Sequence, residues 1–307
     1  MRVHWAIGAS ALIVVLLLGT TSAALAAPAP HLVFADEFEH GLDPATWVQL
    51  TPWNTTYSTG ELESYRPDNV AVAGGELRLA SRKDSSGAPY TSGIVTSLAR
   101  DRFSYGYFEI RATLPKGRGI FPAFWLTNGD SLEIDAMEML GDVPSREYMT
   151  LHQHNQVVFQ RAVDGPDLSE GYHTFGVDWQ PTYVRWYVDG QLRAEYAHPV
   201  PHDPLWICLD TAIGGKWAGA PDASTHFPQY FDIDYVRVWN QMPHDAAQVA
   251  SALANYAATA QAAALSSRYG QMLAEPSIES AQTVLFYPGL RSPRYVRGAR
   301  AWEAASN

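Results

Sequence analysis

The sequence predicts an all-β domain, a sandwich or barrel, with an Ala-rich segment behind it. Three observations lead there. Short runs of alternating apolar and polar residues recur from Leu32 to Trp239. Turn residues such as Gly74-Gly75 and Asp189-Gly190 punctuate them. No helical period intervenes until about Met242, where the composition changes.

Residues 1–27 read as an export signal. Arg2 gives a positive start, Ala6 to Gly19 is apolar, and Ala24-Leu25-Ala26 is a small-residue cleavage site. The apolar run, about 14 residues, is short for a membrane span. A secreted or otherwise exported protein is expected, with no further membrane association and acting as a monomer. Its single cysteine, Cys208, excludes an internal disulfide and reads as a small buried residue on an apolar strand.

Residues 28–240 form the expected domain. Strands are predicted at Leu32–Phe38, Asn69–Val72, Glu76–Ala80, Gly93–Leu98, Tyr105–Leu114 and Phe121–Leu126. The acidic stretch Leu132–Leu140 follows. Further strands are predicted at Met149–His152, Val157–Val163, His173–Asp178, Tyr183–Val188, Gln191–Tyr196, Trp206–Thr211 and Phe231–Trp239. Residues 241–307 are an Ala-rich extension, helical or disordered. His244 to Tyr269 is the helical candidate, with Val249, Leu253, Tyr256 and Ala260 along one side. Arg291, Arg294, Arg297 and Arg300 space a basic stripe in the remainder.

A formal net charge of -11 speaks against nucleic acid or an anionic membrane as the main partner. Ten Trp and sixteen Tyr are many; most of these rings are expected in the core, and aromatic planes exposed in a groove suit sugar rings.

The acidic stretch carries the chemistry. On a regular strand Glu133 and Asp135 share one face, while Glu138 falls in the row of Leu132, Ile134 and Ala136. An unpaired carboxylate in that core-facing row costs several kcal/mol or is forced neutral. One extra residue, a β-bulge at Ala136-Met137, returns Glu138 to the face of Glu133 and Asp135. Two Glu reaching toward each other over a shorter Asp suit the roughly 5–5.5 Å carboxyl separation of a retaining glycosidase. Crowding of the three separates their proton affinities, as an acid and a nucleophile require.

Glu133-Ile134-Asp135-Ala136-Met137-Glu138 resembles the Glu-x-Asp-x-x-Glu signature of glycoside hydrolase family 16, in its bulged, laminarinase-like form. Phe121-Pro122-Ala123-Phe124-Trp125-Leu126 is similar to the strand before that signature, and Thr150-Leu151-His152 to the strand after it. His173 to Trp179, Trp186 to Gly190, Gly214 to Gly219 and Asp234 to Trp239 resemble later blocks, in order. The resemblance implies a β-jelly-roll sandwich of two antiparallel sheets with a concave, polysaccharide-binding cleft. It implies endo-hydrolysis of β-1,3-glucan, or of mixed-linkage β-1,3-1,4-glucan, with retention. Glu133 is then the nucleophile, Glu138 the general acid/base and Asp135 the orienting partner. Trp125, His152 and Trp217 are expected to line the cleft. No cofactor takes part in catalysis. A structural Ca²⁺ is implied at Glu37 and Gly75, through backbone oxygens, and at the Asp234 carboxylate.

Two segments depart from the pattern. Phe121 replaces a Trp, and Gly60-Glu61-Leu62-Glu63 replaces Asn-Glu-Leu-Gln; both are expected to contact sugar units on the non-reducing side of the cut. The alternatives are the same chemistry on a galactan such as agarose, or a non-catalytic glucan-binding protein. The presence of both Glu133 and Glu138 disfavours the latter.

Overall fold

The computed structural model describes residues 29–273 except 53–59, 85–88 and 100–101, with side chains as far as 263. The expected export signal and the C-terminal arginine stripe lie outside the described residues.

The first strands are β1 (Leu32–Asp36), β2 (Glu63–Tyr65), β3 (Val70–Ala73), β4 (Glu76–Lys83), β5 (Tyr90–Ser92) and β6 (Ile94–Thr96). Then come β7 (Gly106–Thr113), β8 (Ile120–Thr127), β9 (Leu132–Met139), β10 (Arg146–Gln153) and β11 (Gln156–Asp164). After β12 (His173–Gln180), β13 (Tyr183–Val188), β14 (Gln191–Tyr196) and β15 (Trp206–Ile213) stands the single turn α1 (Gly215–Ala218). The chain closes with β16 (Gln229–Trp239) and the helix α2 (Ala246–Leu273).

Two sheets face each other as a jelly-roll sandwich. The larger has ten strands, in the order β14-β13-β12-β7-β16-β4-β5-β2, with β1 on β16 and β3 on β4. The smaller runs β11-β10-β9-β8-β15-β6. Alternation decides what lies between them. Phe108, Ile110 and Ala112 of β7 meet Phe124 and Leu126 of β8, Ile134 of β9, and Ile207 and Leu209 of β15, all fully buried. Each such leucine or phenylalanine contributes about 1.5–3 kcal/mol through removal from water. The open face of the smaller sheet is thereby left to polar and aromatic residues.

Differences from the predicted elements have local causes. β1 stops at Asp36 because its carboxylate accepts from the Phe38 N–H at 2.9 Å and the Trp47 indole at 2.7 Å, turning the chain. β2 and β5 were not expected; they pair in parallel at the end of the larger sheet, three residues each.

The helix begins at Ala246, where the Asp245 carboxylate accepts from the Gln248 N–H at 2.8 Å and Gln248 Oε1 accepts from the His244 N–H at 2.8 Å. Val249, Ala252, Leu253 and Tyr256 dock it on Leu32, Tyr107 and Trp239, on the outer side of the larger sheet. Ala260, expected on that side, is exposed: the docked stripe ends one turn earlier.

Candidate active site

The bulge in β9 is present. Phe124 faces Met137 and Trp125 faces Asp135, so Ala136 has no partner of its own on β8. Four steps along β8, from Ala123 to Thr127, therefore oppose five along β9, from Glu138 to Glu133. Ala136, Met137 and Met139 point into the core while Glu138 joins Glu133 and Asp135 on the open face. The irregularity is held from the other sheet, where Trp186 of β13 donates its indole N–H to the Asp135 carbonyl at 2.8 Å across the core.

Three rungs of the smaller sheet carry the site. One runs Trp206, Thr127, Glu133, His152; the next Cys208, Trp125, Asp135, Thr150; the third Asp210, Ala123, Glu138, Tyr148. Nε2 of His152 lies 3.5 Å from Oε1 of Glu133 and 3.2 Å from Oδ2 of Asp135. Thr150 donates its hydroxyl to Oε2 of Glu138 at 3.0 Å. Glu133 is the most open of the three acids, with 20% of its side-chain surface exposed against 5% for Asp135. An attacking oxygen needs that access.

Burial first, then the Asp135 charge, pushes Glu133 up to about 8, with His152 opposing and Asp210 adding. Burial also lifts Asp135 well above the usual carboxylate range, helped by Asp210. Glu138 is raised well above it too, by burial and then Asp135, while the Thr150 hydrogen bond works the other way. So many acids cannot all ionise together. The rise of Glu138 favours its protonated form, the one a general acid needs, and a proton on Asp135 removes a charge that disfavours an ionised Glu133.

Trp125 and Trp217 both border this face. Trp125 donates its indole N–H to Oδ1 of Asp210 at 2.8 Å. Trp217, on α1, stands edge-on between Phe121 and Tyr148, with ring centroids 4.7 and 4.9 Å away. Since Tyr148 faces Glu138, this aromatic wall flanks the Glu138 end. Trp206, with Arg102 stacked 4.7 Å over it, belongs to the Glu133 rung.

Two expectations change. Glu63 is buried and accepts from the Ile213 N–H at 2.7 Å, tying β2 to β15; its carboxylate serves the fold rather than an exposed sugar contact. Asp210 was overlooked: buried on β15, it accepts from Tyr65 at 2.6 Å as well as from Trp125. An acid at the parity of Cys208 within an otherwise apolar strand was the available signal. Cys208 itself is buried, and burial plus Asp210 holds its thiol well above its ordinary range, so it is no nucleophile.

Glu37, Gly75 and Asp234 do not belong to this face. Pairing of β1 and β4 with β16 brings them to one corner of the larger sheet: Asp36 faces Val236, Leu77 faces Ile233, and Asp234 sits at an irregularity between them. Two peptide oxygens and a carboxylate are donors suited to Ca²⁺. The Glu37 carboxylate is engaged by Arg237 at 2.7 and 2.8 Å, and Asp234 by Arg111 at 2.6 Å.

A beta-glucanase of Rhodothermus marinus is 33% identical over 247 residues, covering 69% of this chain and 86% of its own. An endo-1,3-1,4-beta-glycanase of Rhizobium meliloti is 34% identical over 64% of this chain and 47% of its own length. The solved laminarinase catalytic domain of Thermotoga maritima superposes with a TM-score of 0.63 at 34% identity, covering 70% of this chain and all of that one. The family model for glycosyl hydrolases family 16 matches residues 58–237, which contain every residue of the three rungs. The chain is a glycoside hydrolase and belongs to glycosyl hydrolases family 16.

Proposed function

We propose that this protein is an exported endo-β-glucanase that cuts β-1,3-glucan, and mixed-linkage β-1,3-1,4-glucan, by double displacement with retention. The observation that carries the reading is the bulge, which turns Glu133, Asp135 and Glu138 onto one open face. The names of the relatives support the choice of polymer. Among the described residues no helix is long and apolar enough to cross a membrane.

In the first step Glu138 gives its proton to the glycosidic oxygen while an oxygen of Glu133 attacks the anomeric carbon, forming a glycosyl ester and releasing the reducing-end fragment. In the second, Glu138, now a carboxylate, takes a proton from water as that water attacks the anomeric carbon and Glu133 leaves. His152 favours the Glu133 carboxylate; Asp135, the orienting partner, disfavours it while charged and ceases to do so once it holds a proton. Trp125 and Trp217 offer rings for the sugar faces.

Release of reducing ends from laminarin, lichenan, agarose and xyloglucan tests the substrate; release from agarose but not from laminarin or lichenan overturns it. Proton NMR of the first product tests the stereochemistry, and an initially inverted anomer overturns double displacement. The roles separate with azide. Glu138→Ala should be rescued to a β-glycosyl azide, Glu133→Ala to an α-glycosyl azide, and the reverse pattern would exchange the assignments.

The same reading includes a structural Ca²⁺ held by the Glu37 and Gly75 backbone oxygens and the Asp234 carboxylate. Their convergence supports it; Arg111 has to share or yield Asp234. Calcium added to chelator-treated protein should raise its melting temperature, and an unchanged melt counts against the site.

A further inference from the structure

A fourth carboxylate stands in the site, and the reaction as written gives it no task. Asp210 is buried on β15, in the rung of Glu138 and next to that of Asp135. Its two oxygens are used separately, Oδ1 by the Trp125 indole at 2.8 Å and Oδ2 by the Tyr65 hydroxyl at 2.6 Å. These donors come from different sheets: Trp125 from β8 in the smaller, Tyr65 from β2 in the larger.

We propose that Asp210 is a positioning residue for the glycosidase reaction, clamping the Trp125 ring and the Tyr65 hydroxyl and adding a negative charge to the group of acids around the nucleophile Glu133. This deepens the glucanase reading and rests on it. The charge acts on its neighbours throughout: Asp210 disfavours ionisation of Glu133, Asp135, Tyr65 and Cys208.

Facing Asp210 are Tyr65 and Glu61 from the β2 segment, Trp125 from β8, Glu133 and Asp135 from β9, and Cys208 from its own strand, with His152 behind the two acids of β9. The only one of these able to carry positive charge is His152. Burial raises Asp210 to about 6, although both of its donors favour the ionised form. Its charge therefore changes within the range in which such a nucleophile becomes available. Above that point Asp210 adds a charge that holds a proton on Glu133; below it, that charge is gone.

Asp210→Asn tests the proposal, because the amide oxygen still accepts from Trp125 and the amide nitrogen can donate to Tyr65. The acid limb of the kcat/KM profile on laminarin should move to lower pH by about one unit, the scale of a neighbouring like charge. Tyr65→Phe, which removes a donor from the ionised form but leaves the acid, should move the same limb in the same direction by less. Carbon-13 titration of the carboxyl groups gives a readout independent of any substrate. The resonance that disappears in Asp210→Asn should titrate near pH 6, and that of Glu133 should shift to lower pH.

An Asp210→Asn profile superimposed on the wild type's, or a Glu133 titration unmoved by the variant, overturns the proposal. A wild-type enzyme inactive on every glucan refutes the glucanase reading instead, and the carboxyl titration still decides the role of Asp210.

Discussion

Nε2 of His152 stands 3.2 Å from Oδ2 of Asp135, yet that buried oxygen accepts no aligned hydrogen bond among the described residues. The imidazole is an electrostatic neighbour of the acids rather than a fixed donor to one of them. It is the one group that opposes the rise of Glu133. His152→Gln should therefore move the acid limb of kcat/KM to higher pH. Activity below neutrality should fall about tenfold for each unit of that shift, with recovery at alkaline pH. A uniform loss at all pH values would mean that His152 acts through binding alone.

Thr150 is fully buried and aims its hydroxyl at Glu138. Thr150→Val keeps the shape and removes a bond that favours the ionised form. The alkaline limb, where the general acid loses its proton, should move up by about half to one unit. A pH–rate profile on a glucan with a slow leaving group reads the shift directly.

Glu147 gives a stability prediction away from the chemistry. It lies buried on β10, in the row of Met149 and Leu151, and neither oxygen has a hydrogen-bond partner among the described residues. Burial raises it well above the usual range, with Arg193 opposing. An unfolded glutamate ionises near 4.5, whereas the folded one still holds its proton there. Across that window the native state binds more protons than the unfolded state, so stability declines as pH rises, by at most about 1.4 kcal/mol per unit. Glu147→Met should abolish this slope and raise stability by about 1–3 kcal/mol at pH 8, as urea melts at pH 5 and pH 8 would report.

The docked helix makes a third kind of test. α2 covers Trp239 and Tyr107, both essentially buried, and Leu32 beside them. A chain ending at Asn240 leaves these rings in water. The expected cost is about 2–4 kcal/mol, read as a lower melting temperature, with kcat/KM at 25 °C unchanged because the open face lies on the other sheet.

How far the sequence alone carries depends on the range of each interaction. The bulge was readable because parity strands Glu138 on the core side, a conflict contained within six residues. The helix was readable from composition, but its docked length was not, since Ala260 differs from Ala252 only in what lies beneath it. Asp210 was hidden for a different reason. Its strand is apolar on both sides, and the partners that explain it lie 85 and 145 residues away. Glu63 was expected at the sugar because its segment stands where the family pattern has Asn-Glu-Leu-Gln. Its role as a brace depends on β15 running alongside, which nothing local announces.

The tie from Trp186 to the Asp135 carbonyl separates two jobs that many enzymes fuse. The alignment of the acids is secured from the rear, through the interior, by a ring no substrate can touch. The α1 turn, which sets Trp217 against Phe121 and Tyr148 at the edge of that face, carries none of that burden. Such a border can change character while the alignment of Glu133, Asp135 and Glu138 stays as it was.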